Sequence, residues 1–188
     1  DHEWIIRNYE SLSEFNKYAK ISIVPLVVTP EGISLQDSTP LMEKLEQDCS
    51  GPRMIPDDPI LAFLSRMIEE YADEWINKPL FHYRWNYKKD KINASKIISS
   101  YVTPKILQNI PLFGPLVVKT LSLYVSKRQI GRRFWLGTFP INAPIVESSF
   151  LRILDLMDTH LETRPYMFGG KPSIADFGLW GQIYNMHL

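Results

Sequence analysis

Tyr166-Met-Phe-Gly-Gly-Lys-Pro-Ser-Ile-Ala-Asp-Phe177 is the stretch whose reading settles the fold. Gly169, Gly170 and Pro172 interrupt any preceding regular element, and Ser173-x-x-Asp176 then precedes the apolar run that ends at Tyr184. A hydroxyl followed three residues later by a carboxylate has the form of a capping box. Ser173 is expected to accept the N–H of Asp176, and Asp176 to accept the N–H of Ser173 at the positive end of the helix. Losing either group is expected to cost roughly 1 kcal/mol. With the acid and the hydroxyl both occupied by the helix end, Ser173 and Asp176 read as a structural cap and not as catalytic residues.

Upstream of this box the chain reads as helical back to residue 60. Leu61, Leu64, Met67, Ile68, Tyr71, Trp75 and Ile76 recur at three-to-four spacing with Glu69, Glu70, Asp73 and Glu74 largely between them, which predicts one long amphipathic helix. Further helical stretches are expected at Ala94–Ile98, Leu116–Arg133 and Ile145–Leu161, separated by Pro- and Gly-containing connections. No strand pattern competes after residue 60. Residues 50–59 (SGPRMIPDDP) hold one Gly and three prolines and read as a linker.

The character before the linker is different. Trp4–Ile6 is a short apolar run. Ile21–Val28 is rich in β-branched residues, contains Pro25 and is followed by a Thr-Pro-Glu-Gly turn at 29–32, after which Ile33–Leu35 can return as a second strand. Asp37-Ser38-Thr39-Pro40 is a helix start: Asp and Ser suit an N-cap and Pro is tolerated in the first turn. Leu41, Met42 and Leu45 give that helix its apolar face. Strand, turn, strand, helix is the second half of a small α/β unit, marginal alone. With the abrupt start at Asp1, this leads to the expectation that a segment precedes the chain; the end inside or just after the last helix suggests truncation there too.

Composition narrows the partners. The 188 residues carry 21 Lys+Arg and 21 Asp+Glu, so no whole-molecule field favours nucleic acid or an anionic membrane. The most apolar stretch, Ile110–Val125, is interrupted by prolines, Gly114 and Lys119 and is shorter than the ~20 residues a spanning helix needs. Cys49 is the single cysteine, which excludes an internal disulfide and makes the cytoplasm the default address; following a helix, it reads as an inert thiol. His2, His82, His160 and His187 lack metal-ligand spacing, so no metal is expected. Lys127, Arg128, Arg132 and Arg133 cluster near Trp135 and read as a solvated or ion-paired helix face, not a nucleic-acid site. Tyr83, Trp85, Tyr87, Tyr124, Trp135 and Trp180 read mainly as core, with an aromatic substrate pocket as the sharper alternative.

Val24-Pro25 before a strand, Asp37-Ser38 opening a helix, and Pro-Ser-Ile-Ala-Asp-Phe starting a late apolar helix stand in an order that resembles the glutathione transferase superfamily over essentially the whole chain. Phe81-His-Tyr-Arg-Trp85, Arg128-Gln-Ile and the 166–177 stretch look like a bacterial-type, largely uncharacterised branch. The resemblance implies a fold class of α/β plus all-α: a partial thioredoxin-like domain at 1–49, the linker at 50–59, and a glutathione transferase-type helical domain at 60–188. It implies that Pro25 is cis and presents the backbone of Val24 to the cysteinyl part of glutathione. It further implies that Ser38 and the helix N–H groups hold the γ-glutamyl carboxylate while Asp37 faces the ammonium. The run Ala19-Lys20-Ile21-Ser22-Ile23 departs from the Asn-Pro-x-Gly-Lys that the family often shows before Val-Pro.

The family's catalytic Tyr, Ser or Cys stabilises the thiolate of glutathione, the nucleophile of the reaction. It belongs to the first strand or helix, which the resemblance puts before Asp1, so no residue here is assigned that role. The function implied is attack of glutathione, as co-substrate, on a small hydrophobic electrophile by a cytoplasmic homodimer. The alternative is a non-catalytic binding or dimerisation module of the same fold.

Overall fold

The computed structural model describes residues 2–48 and 50–186; the expectations for Cys49 and His187 fall outside the described residues. Contacts divide the chain into two compact units, Asp1–Ser50 with Ile92–Ser126 and Gly51–Lys91 with Lys127–Leu188. The helical stretch after residue 60 therefore contributes to both.

In the first unit, helix α1 (Leu12–Tyr18) is an element that the polar sequence around it did not predict. A reciprocal pair starts it: the Asn8 N–H donates to Ser11 Oγ at 2.9 Å and the Ser11 N–H to Asn8 Oδ1 at 3.0 Å. Strands β1 (Leu26–Val28) and β2 (Ser34–Gln36) pair antiparallel in the register Leu26↔Gln36, Val27↔Leu35, Val28↔Ser34. The turn between them closes through Gly32, whose φ of 82° suits a residue without Cβ. The first strand is shorter than the apolar run from Ile21 suggested. Pro25 has no N–H to give a ladder, and the carbonyls of Ile21 and Ile23 are taken by the side chain of Gln36 at 2.7 and 2.9 Å. Helix α2 (Ser38–Asp48) follows at once and buries Leu41. Residues 92–126 add most of α5 (Lys88–Val102), longer than expected, then α6 (Lys105–Gln108) and the start of α7 (Phe113–Arg132). Two ties hold this segment to the N-terminal stretch, Tyr9 N–H to the Tyr101 carbonyl at 2.8 Å and Lys105 N–H to Glu10 Oε1 at 2.7 Å.

In the second unit the long helix predicted from Ile60 to Ile76 is α3 (Pro59–Tyr71), capped by Asp58, followed by one π-helical turn over Ala72–Ile76 and then α4 (Asn77–Asn86). Pro79 accounts for the break. In an uninterrupted α-helix its ring would meet the Trp75 carbonyl and its absent N–H would cost a bond; the wider turn just before it gives the ring room. Two helices complete the unit, α8 (Ala143–Leu161) and α9 (Ile174–Tyr184). The core gathers Ala72, Ile76, Phe150 and Leu179, with Ile68, Ile153, Met157 and Met167 packed against it. Close approach of α9 to α3 depends on Gly178: a Cβ there would stand 3.2 Å from both Cα and Cγ of Glu69. Among the described residues the only sheet is the two-stranded one, and no helix is long and apolar enough to cross a membrane.

Candidate functional site

The hairpin register brings the two predicted docking pieces together. With Leu26 opposite Gln36, the residues just before β1 and just after β2 become neighbours, and the Asp37 N–H donates to the Pro25 carbonyl at 3.2 Å. The Val24–Pro25 bond is cis, as the resemblance implied. Val24 is 58% exposed, and neither its N–H nor its carbonyl pairs with another backbone group among the described residues. Its main chain is therefore presented outward, as an extended ligand backbone requires.

Asp37 adopts φ 81°, in the left-handed region that Asp tolerates better than most side chains. That kink turns the chain from β2 into α2. The first bond of the helix runs from Leu41 N–H to the Asp37 carbonyl at 3.2 Å, which makes Asp37 the cap and half-buried Ser38 the first helical residue. Pro40 supplies no donor, so an anion at this helix end meets the Ser38 N–H and hydroxyl, with the exposed Asp37 carboxylate beside it.

Gln36 is a positioning residue that the sequence did not reveal. Its amide is fully used: Nε2 donates to the carbonyls of Ile21 and Ile23, and Oε1 accepts from the N–H groups of Lys20 and Ile21 at 2.9 and 3.2 Å. The loop before Pro25 is thus shaped by one side chain. A Gln immediately before the Asp-Ser pair was the available signal, but a partner 13 to 16 residues away leaves no periodicity.

In the second unit the capping box forms and does more than cap. Both halves of the box are present. Asp176 Oδ2 accepts from the Ser173 N–H at 2.8 Å and the Ser173 hydroxyl at 2.7 Å, while Oδ1 accepts from the Met167 N–H at 2.8 Å. The Met167 carbonyl in turn accepts from His160 Nε2 at 2.8 Å. The turn between 166 and 169 closes with Gly169 at φ 118°. Ser173 and Asp176 therefore hold the main chain at Met167, one wall of an apolar cavity of about 420 Å³ lined also by Ile68, Tyr71, Leu156 and His160.

A second polar cluster was not legible. His82, fully buried on α4, donates from Nε2 to Glu147 Oε1 of α8 at 2.7 Å, and the Tyr87 hydroxyl donates to the same oxygen at 2.8 Å. These two bonds, the histidine's first, hold the Glu147 carboxyl below the usual carboxylate range, and the Glu147 bond in turn pushes the Tyr87 phenol up. His82 Nδ1 has no partner among the described residues. Tyr83 stacks on Tyr87 with ring centroids 5.9 Å apart and leans on Phe150. Of the aromatic residues weighed as a pocket, Trp85 is core, whereas Tyr124, Trp135 and Trp180 are exposed. No three His, Cys, Asp or Glu side chains among the described residues gather as a metal site would need.

The family described as glutathione S-transferase, C-terminal domain, matches residues 125–188, a span that includes the capping box and α9. No curated protein and no solved structure shows a significant match to the chain.

Proposed function

We propose that the chain, whose residues 125–188 match the family described as glutathione S-transferase, C-terminal domain, is a member of the glutathione transferase superfamily and docks glutathione at the Val24-Pro25/Asp37-Ser38 turn, with the thiolate attacking a small hydrophobic electrophile. The observation that carries the reading is the 3.2 Å bond from the Asp37 N–H to the Pro25 carbonyl. It sets an outward strand-like backbone beside a helix N-terminus, and a tripeptide with a free α-carboxylate needs both. The backbone of Val24 pairs with the cysteinyl peptide, Ser38 and its N–H take the γ-glutamyl carboxylate, and Asp37 faces the ammonium. Residues 1–49 are, on this reading, part of a thioredoxin-like domain, 50–59 the linker and 60–188 the helical domain of a cytoplasmic homodimer.

These four residues bind; they are not the group that lowers the pKa of the thiol. Binding and turnover are therefore tested separately. Chromatography of the chain on immobilised glutathione should retain it, and Ser38→Ala, which removes a hydrogen bond to a charged group, should weaken the affinity about tenfold. Equal retention of the variant would remove Ser38 from the site. Retention without conjugation of an aromatic electrophile would favour a non-catalytic binding module.

A further inference from the structure

The zero net charge of the chain conceals a segregation. Between Lys91 and Val146 there is no Asp or Glu, while Lys91, Lys96, Lys105, Lys119, Lys127, Arg128, Arg132 and Arg133 all fall there; every one of the 21 acidic residues lies outside that stretch. Within the second unit its end forms a distinct surface. Lys127, Arg128 and Arg132 are exposed at the C-terminal end of α7, with no ion pair to any described acid. The turn that follows projects Phe134 (67% exposed) and Trp135 (84%), and Ile141 (81%) stands just beyond. The rings form a cluster, Phe134 meeting Trp135 at 5.7 Å and Phe139 at 6.3 Å, both edge-on.

This turn is held rigidly with its apolar side chains outward. Arg133, buried beneath it, donates from Nε to the Thr138 carbonyl at 2.9 Å and from Nη2 to Asn86 Oδ1 at 2.9 Å, and the Thr138 N–H returns to the Arg133 carbonyl at 2.9 Å. Gly137 at φ 69° completes the reversal, and Asn142 Nδ2 donates to its carbonyl at 3.0 Å. Exposing a Trp, two Phe and an Ile on so well-satisfied a backbone leaves a large apolar patch in water, the mark of an interaction surface.

We propose that the Lys127–Ile141 surface docks on an anionic lipid bilayer, with Trp135, Phe134 and Ile141 entering the headgroup boundary and Lys127, Arg128 and Arg132 meeting the lipid phosphates. Trp at a bilayer interface presents an apolar body and a polar N–H, and basic residues that no acid pairs draw a negative surface. A single-stranded nucleic acid would also use basic and aromatic groups, but it gains nothing from the exposed aliphatic Ile141, whereas acyl chains do. The inference is independent of the glutathione reading.

Flotation of the 188-residue chain with vesicles of phosphatidylcholine containing 30% phosphatidylserine, against phosphatidylcholine alone, tests it. The expected result is recovery with the phosphatidylserine vesicles only. The double substitution Arg128→Gln/Arg132→Gln should lower partitioning roughly 30-fold, from the weight of two cationic side chains at an anionic surface. Quenching by brominated lipid should be largely lost in Trp135→Phe, although Trp4, Trp75, Trp85 and Trp180 remain. All three side chains are exposed, so an unchanged unfolding midpoint certifies each variant as folded. Equal recovery with both vesicle types, undiminished quenching in Trp135→Phe, or binding of an oligonucleotide but not of vesicles would overturn the proposal.

Discussion

Replacing Asp176 by Ala should destabilise the second unit well beyond the loss of an ordinary helix cap. A cap contributes about 1 kcal/mol. Here the carboxylate accepts three bonds, from the Ser173 N–H, the Ser173 hydroxyl and the Met167 N–H, at 2.7–2.8 Å. Hydrogen bonds to a charged group contribute about 1.5–3 kcal/mol each, and because Asp176 is half-buried, water recovers part of what is lost; the expected cost is about 3 kcal/mol. Ser173→Ala deletes the hydroxyl but leaves both backbone N–H groups on the carboxylate, so its cost should stay near 1 kcal/mol. For a chain of 188 residues that difference corresponds to midpoint drops of about 6–12 °C against about 2–4 °C. Urea unfolding followed by far-UV circular dichroism reads both, provided the slope with denaturant is unchanged. If the two variants lie within about 0.5 kcal/mol of each other, a difference too small to exceed ordinary additivity error, the Met167 tie contributes nothing and the three-bond reasoning is refuted.

Glu147 should make the second unit acid-sensitive. Its folded pKa is depressed below the ordinary value of 4.5, so its contribution is complete above that pH and is lost as pH falls through the depressed value; urea midpoints should decline below about pH 4.5, and Glu147→Gln should flatten that decline. Gln36→Leu should release the loop before Pro25 at a cost of about 1–2 kcal/mol, speeding hydrogen exchange at Lys20 and Ile21 and lowering glutathione retention while leaving α9 unaffected; unchanged exchange at those amides would show that the clamp is not made in solution.

The elements legible in the sequence are those whose determinants lie within a few residues. Ser173 and Asp176 are three apart, and their box forms where the sequence puts it. Asp37-Ser38 and Val24-Pro25 are farther apart, yet a short turn at 29–32 fixes the register that joins them. What escaped depends on distant partners. Nothing near His82 announces Glu147, 65 residues on, and nothing in the alternation of Ile21–Val28 announces that Gln36 will take two of its carbonyls and that the strand will begin only at Leu26. The π turn was missed for a subtler reason: the periodicity from Ile60 to Ile76 is continuous, and the residue that interrupts the helix, Pro79, lies beyond it and acts backwards on the carbonyl four residues before.

Charge needs a separate reading at the surface, because a sum over a chain is not a field at a surface. Exposed charges farther apart than about 8 Å are largely screened from each other at physiological ionic strength. The 21 acidic residues outside 91–146 therefore neutralise the composition without neutralising Lys127, Arg128 and Arg132, unless one comes within ion-pairing reach, and none of the described ones does. The same screening separates the two proposed sites. Attraction between the basic surface and anionic lipid acts through water and weakens as salt rises. The contacts proposed for glutathione at Val24 and Ser38 are short hydrogen bonds at a helix end, which salt weakens far less. A surface that releases vesicles at high salt while the docking turn still holds glutathione is what these two kinds of contact require of one chain.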